Sequence, residues 1–242
     1  MWKLGGGALL AAAGVTAYGV RARSATLFGP SVWRGDRRRR AVALTFDDGP
    51  SEATPRVLEI LSRYGVRATF FQCGANAERL PRIAREVAAQ GHEIGNHSYS
   101  HAPFYFRGAG FIAREIGRAQ SAIAESTGRI PEHFRAPYGA RWFGLRQAQE
   151  RFGLLGVMWT TLGLDWKLPA GRVAARLARG ASNGAIFCLH DGRELRPDPD
   201  LSGTLEALRR VIPRLLGQGY RFEPVGQILR PAPHAESAPQ TR

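Results

Sequence analysis

From Ala41 onward the sequence alternates short apolar runs rich in β-forming residues with segments of helical periodicity, and no other feature narrows the fold so far. "AVALTF" (41–46), "ATFF" (68–71), "HEIGN" (92–96), "EHFRAP" (132–137), "LLGVMWT" (154–160), "AIFCLH" (185–190) and "YRFEP" (220–224) read as strands. Between them lie helices. The first is expected to start with Thr54 as N-cap and Pro55 at its first position, to bury Val57, Leu58 and Leu61, and to close at Gly65. "LPRIAREVAAQG", "GFIAREIGRAQSAIAEST", "RWFGLRQAQERFG", "AGRVAARLARGA" and "SGTLEALRRVIPRLLGQG" continue the alternation, the last tolerating Pro213. Strands separated by helices are parallel with crossover connections, and the number of units favours barrel-like closure over an open sheet.

The 242-residue chain, 44% hydrophobic, is long enough for one α/β domain with tails. That domain is expected over residues 41–230. Residues 1–24 read as a signal peptide or membrane anchor, 25–40 as a basic linker, and 231–242 as a disordered tail. Residues 4–20 are uncharged and suit membrane association, and "VTA" (15–17) resembles a small-residue cleavage site. Arg21, Arg23 and Arg37 to Arg40 place more positive charge after the apolar stretch than before it, which opposes export. The balance favours the cell envelope, with the protein secreted or anchored. The net charge of +14 is carried almost wholly by arginine and favours anionic partners, yet no nucleic-acid motif is present. Two cysteines, Cys73 and Cys188, lack the spacing of a disulfide framework or a thiolate zinc site and read as buried free thiols.

Polar residues gather at the C-terminal ends of the expected strands: Asp47 with Asp48, His97 with His101, Arg135, Asp165, and His190 with Asp191. In parallel α/β architectures that edge is where sites are built. His97 and His101 stand four residues apart, so a helical or tightly turned segment presents both on one side. Two imidazoles and one carboxylate make an open divalent-metal site. The other carboxylate of the doublet is then free to act as a base. An Asx turn at Asp47 and a cap at Asp48 would explain an aspartate but not the histidines.

"TFDDGP", "HSYSH", "RAPYG", "LDW" and "CLHD" together resemble the polysaccharide deacetylase family, carbohydrate esterase family 4, or NodB-homology domain. The likeness spans Ala41 to Leu229. It implies a distorted (β/α) barrel, TIM-like, with about seven or eight units. It also implies metal-dependent removal of N-acetyl, or O-acetyl, groups from an N-acetylhexosamine-containing glycan such as peptidoglycan or a chitin-like oligosaccharide. Zinc is the expected ion, with cobalt, nickel or manganese as alternatives. Carried over by position, Asp48, His97 and His101 would ligate the metal. Asp47 would be the general base, held ionised by Arg135. The backbone N–H of Tyr138 would help stabilise the oxyanion, and His190, oriented by Asp165, would be the general acid. Pro137 and Trp166 would line the acetyl slot. Cys188 stands where the family usually has leucine, which alters that slot.

His92, His133 and His234 show no partner pattern and read as structural, while Phe104 to Phe106 and Trp142 suit either sugar stacking or packing. Two other classes share some of these residues. A non-haem iron oxygenase uses the same ligand set but on a β-sandwich without interleaved helices. A silent glycan-binding module would be expected to lack the base or the acid.

Overall fold

A computed structural model describes residues 13–232. Helix α1 occupies residues 13–21 and strand β1 is Ser31–Val32. The alternation then runs β2 (Ala41–Asp47), α2 (Thr54–Arg63), β3 (Thr69–Gln72), α3 (Gly74–Arg79), α4 (Pro81–Ala89), β4 (Glu93–Asn96), α5 (Ala109–Thr127) and β5 (His133–Phe134). It continues with α6 (Leu145–Phe152), β6 (Leu155–Val157), β7 (Thr161–Leu162), α7 (Ala170–Gly180), β8 (Ala185–His190), α8 (Ser202–Gly217), β9 (Arg221–Phe222) and α9 (Val225–Ile228).

Every strand pairing is parallel, in the order β1-β6-β5-β4-β3-β2-β8-β7 with β9 alongside β2. This is the expected α/β barrel in distorted form. The sheet curls, but its outer strands β1 and β7 are not paired with each other. An all-parallel sheet with crossover helices also removes the oxygenase alternative, whose sandwich has neither.

The sheet is built around β2, which is buried at every position. Its even-numbered apolar residues Val42, Leu44 and Phe46 join the main core with α2, α4, α7 and α8, while Ala41 and Ala43 face a smaller cluster with Phe71, Ile186 and Val225. Burial on both faces is what crossover helices impose on a parallel strand. The register sets Asp47 opposite His190 on β8 and Phe71 on β3, and Thr45 opposite Cys188. Pairing therefore aligns the C-terminal ends of β2 and β8 on one rim.

Local signals from the sequence hold with small shifts. α2 has Ala53 as N-cap and Thr54 inside the helix, because the Thr54 hydroxyl is engaged by the Ser51 N–H and by Asp191. Gly65, at φ 62°, follows α2, and the Val66 N–H returns to the Leu61 carbonyl. Pro213 is accommodated within α8. The short elements β1, β7, α3 and α9 carry too few residues to leave a periodic pattern.

The stretch 25–40, expected as a linker, is folded against the rest. β1 pairs with β6, Phe28 is buried, and the buried Arg141 guanidinium donates to the carbonyls of Ala22 and Ala25. Its arginine-rich composition masks the apolar Phe28 and Val32, which pack inward. Of the expected N-terminal segment, residues 1–12 lie outside the described residues, as do 233–242 of the expected tail and with them His234. Among the described residues no helix is long and apolar enough to cross a membrane.

Phe70 tests the core model, since it is 1% exposed on β3 and stacks on Phe46 with ring centroids 4.9 Å apart. Phe70→Ala is expected to lower unfolding free energy by about 3–5 kcal/mol. Denaturant titration measures it, and a loss under about 1 kcal/mol would show that this core relaxes around the cavity.

Candidate active site

The C-terminal ends of β2, β4, β5 and β8, with the loops beyond them, surround a cavity of about 800 Å³. Asp47 ends β2 and Asp48 follows with φ 73°, a left-handed conformation that breaks strand alternation. The two adjacent carboxylates consequently meet different partners. His101 and Tyr138, at φ 57° each, also hold this unfavourable conformation, which concentrates backbone strain in the site.

Asp48 is 5% exposed. Its Oδ1 lies 3.0 Å from His101 Nε2 and 3.4 Å from His97 Nε2, and its Oδ2 accepts the Glu194 N–H at 2.9 Å. Burial alone would raise the carboxyl pKa, but the hydrogen bonds from His101 and His97 hold it well below the usual range. His97 Nδ1 is 2.8 Å from the Arg135 carbonyl oxygen, which can only accept, so Nδ1 carries the hydrogen. The doubly protonated ring donates from Nε2 to the carboxylate, whereas in the neutral ring the Nε2 lone pair is free for a cation. Two imidazole nitrogens and a carboxylate oxygen, all buried and mutually within 4.8 Å, fit a divalent cation between them.

Asp47 Oδ1 accepts from Arg135 NH1 at 2.7 Å, and its Oδ2 accepts from the Cys188 thiol at 3.3 Å. Arg135, only 1% exposed, also donates to Thr45 Oγ1 at 2.6 Å and to the carbonyls of Val157 and Met158 at 3.0 and 3.2 Å. Its guanidinium also lies over the Phe71 ring at 4.2 Å. A buried charge with every guanidinium nitrogen hydrogen-bonded is tolerated where a lone one is not. Arg135 thus serves both halves of the site, by backbone towards His97 and by side chain towards Asp47.

Across the cavity, His190 Nδ1 is 2.8 Å from Asp165 Oδ1. Asp165 Oδ2 accepts the His190 backbone N–H at 3.0 Å and the Thr204 hydroxyl at 2.7 Å. Burial works to lower the His190 pKa, but the Asp165 charge and hydrogen bond overcome it and raise it to about 9. Burial also pushes Asp165 up, and His190 reverses that, leaving its carboxyl below the ordinary value. Trp166 stands edge-on to His190 at 4.9 Å between centroids. The Cys188 thiol is raised well above its usual pKa by burial and by Asp47, so it stays protonated and donates.

Of the residues expected from sequence, Asp47, Asp48, His97, His101, Tyr138, Trp166, Cys188 and His190 line the cavity, with Arg135 and Asp165 directly behind them. Pro137 does not. It is buried in the turn Pro137–Gly139, and Gly139, Trp159 and Leu162 line that part of the wall. Tyr138 packs against His101 at 4.7 Å and donates its hydroxyl to Glu194 at 3.0 Å. His92 and His133 are structural: His92 Nδ1 accepts the Ala68 N–H, and His133 pairs with Glu93 at 3.0 Å.

Asp191, grouped with the rim by sequence, is instead buried, with Oδ2 accepting from Thr54 at 2.6 Å. Burial raises its pKa to about 7. A side chain at Gly49 would meet that carboxylate at 2.2 Å, so only glycine fits there. Sequence reading overlooked Arg21 and the segment Arg193 to Asp200, which form the outer wall. Neither carries a motif; both reach the cavity only through tertiary folding.

The model of the polysaccharide deacetylase family matches residues 34–157. A peptidoglycan-N-acetylglucosamine deacetylase of Listeria monocytogenes is 33% identical over 201 residues, covering 82% of this chain; the chain spans only 41% of that relative's length. A chitooligosaccharide deacetylase of Azorhizobium caulinodans is 36% identical over 200 residues, covering 78% of this chain and 94% of its own. The crystal structure of the Bc1960 peptidoglycan N-acetylglucosamine deacetylase superposes with a TM-score of 0.78 at 31% identity, covering 84% of this chain and 94% of the other. With a family model matching more than half of its residues and relatives aligned along most of its length, the chain belongs to the polysaccharide deacetylase family.

Proposed function

We propose that this protein hydrolyses the N-acetyl groups of an N-acetylhexosamine-containing glycan of the cell envelope, peptidoglycan or a chitin-like oligosaccharide. One observation carries the reading: a His₂-carboxylate triad, an arginine-held carboxylate and an aspartate-supported histidine open onto one cavity. The names of the relatives support the substrate class. A silent binding module is disfavoured because both proton-transfer groups, Asp47 and His190, are in place.

Asp48, His97 and His101 would hold the divalent ion, zinc being the best match to two imidazoles and one carboxylate. When bound, the cation supplies Lewis-acid polarisation and lowers the pKa of water. Asp47 takes a proton from the attacking water, with Arg135 and the Cys188 thiol fixing its orientation. The Tyr138 backbone N–H is assigned to the acetyl oxygen, where negative charge builds up. His190 gives its proton to the departing nitrogen as the C–N bond breaks, so water and amide become acetate and amine. Trp166 against His190 walls off the acetyl end of the cavity.

Acetate release from a panel of acetylated glycans, with chelator and with zinc restored, tests the reading as a whole. Activity is expected to vanish on chelation and return with metal; full turnover by a verified metal-free protein would overturn it. The adjacent aspartates separate the roles. Asp48→Asn is expected to lose bound zinc, whereas Asp47→Asn keeps it and loses roughly 10² to 10⁴ in rate. Metal analysis of both variants decides, because equal loss of zinc would refute the division.

His190, with its pKa raised to about 9, retains its proton through neutral pH and loses it above that value. Activity that depends on the acid form is present below about 9 and declines above it. Asp165→Asn removes the charge that favours the imidazolium, so the alkaline limb of kcat/KM is expected to move to lower pH at unchanged metal content. A limb that stays in place would reduce Asp165 to a structural contact.

A further inference from the structure

Beside the cavity lies an exposed apolar surface that the proposed chemistry leaves unused. Tyr18 on α1 is 57% exposed, Leu27 50%, Phe143 60% and Phe106 84%. Ring contacts link Phe143 and Phe106 through Trp142, with Phe28 beneath: Phe28 to Phe143 at 4.7 Å, Phe143 to Trp142 at 5.3 Å, and Trp142 to Phe106 at 4.9 Å. Leu27 and Phe28 pack on α1 at Gly19, where an added side chain would collide with both. Isolated exposed apolar residues are ordinary, but a joined cluster of aromatics with one half-exposed leucine marks a contact surface.

The charge of the segments that build it is one-sided. The three segments that build the face, residues 13–28, 104–111 and 140–146, contain Arg21, Arg23, Arg107, Arg141 and Arg146 and not a single carboxylate. Arg141 is buried and fastens the N-terminal segment, while Arg21, Arg23, Arg107 and Arg146 are exposed. The uncharged sequence from Leu4 to Val20 is continuous with α1, which lies on this surface. Aromatics at headgroup depth, arginines for phosphate and an adjoining apolar segment are the makings of an interfacial contact.

We propose that this face seats the folded domain on an anionic phospholipid bilayer, with Leu27, Phe106 and Phe143 entering the headgroup region. The contact goes beyond an N-terminal tether, since it fixes the orientation of the cavity relative to the membrane through Arg21, which belongs to both surfaces. It does not depend on the deacetylase reading.

Sedimentation of the full chain with phosphatidylcholine vesicles, with and without phosphatidylglycerol, tests it. Binding is expected with phosphatidylglycerol and is expected to weaken with salt. The Phe106→Ser, Phe143→Ser double variant is expected to partition about tenfold less, with unchanged kcat on a soluble acetylated oligosaccharide. Residues 4–20 could hold the variant on the vesicle by themselves, so a local probe decides that case. Cys73 and Cys188 are buried, and a bimane label on Phe143→Cys therefore reports one position. Its emission is expected to shift to the blue on phosphatidylglycerol vesicles, while the same label on Arg209→Cys of α8 stays unshifted. An unshifted label at position 143 overturns the proposal. So does a raised KM for long oligosaccharides with partition unchanged, which would make the face a sugar platform.

Discussion

Two buried carboxylates on consecutive residues repel each other and lose their hydration, and the rest of the site answers that problem. The left-handed turn at Asp48 sends the two side chains to separate partners, Arg135 for Asp47 and the paired imidazoles for Asp48. Each arrangement needs support of its own. Arg135 is tolerable in the interior because Val157, Met158 and Thr45 complete its hydrogen bonds, and those residues come from β6, the chain just beyond it, and β2. His97 is oriented by the carbonyl of that same arginine. Displacing Arg135 would therefore disturb both Asp47 and His97.

The strand and helix alternation was legible because each long element fills two or more turns or a full buried run, as in "AVALTF" and "GFIAREIGRAQSAIAEST". The site was legible for a related reason. Polar residues that interrupt apolar runs at strand ends, such as Asp47 after Phe46 and His190 after Leu189, have few explanations other than use. What escaped notice depends on distant contacts. β1 consists of two residues and exists through its pairing with β6. Asp191 follows His190 directly, yet the chain turns at that point and sends its carboxylate inward to Thr54. Pro137 was placed in the cavity by motif alone, whereas the geometry of its turn presents Tyr138 and Gly139 to the cavity.

The segment read as a linker changes how the whole molecule is understood. Arg141, buried under Ala22 and Ala25, and Gln149, donating to the Pro30 carbonyl at 3.0 Å, fasten it along α6 and the loop before that helix. It thereby contributes Leu27 to the apolar face, while Arg21, just before it, reaches the cavity mouth. A chain cut at residue 41 would keep Asp47, Asp48, His97, His101 and His190 and lose Arg21 from the cleft.

The loop beyond His190 carries a consequence for how such proteins diverge. Glu194 donates its backbone N–H to Asp48, its carbonyl accepts from Asn76 at 2.9 Å, and its side chain accepts from Tyr138. Loops at a strand rim are ordinarily free to vary in length and so to explore new ligands. Here an insertion or deletion near Glu194 would shift the hydrogen bond that aims the Asp48 carboxylate. A change of loop length there would also move Asp48, whereas changes at the far end of the segment, around Arg196 to Asp200, alter the cavity wall without touching the Asp48, His97 and His101 cluster.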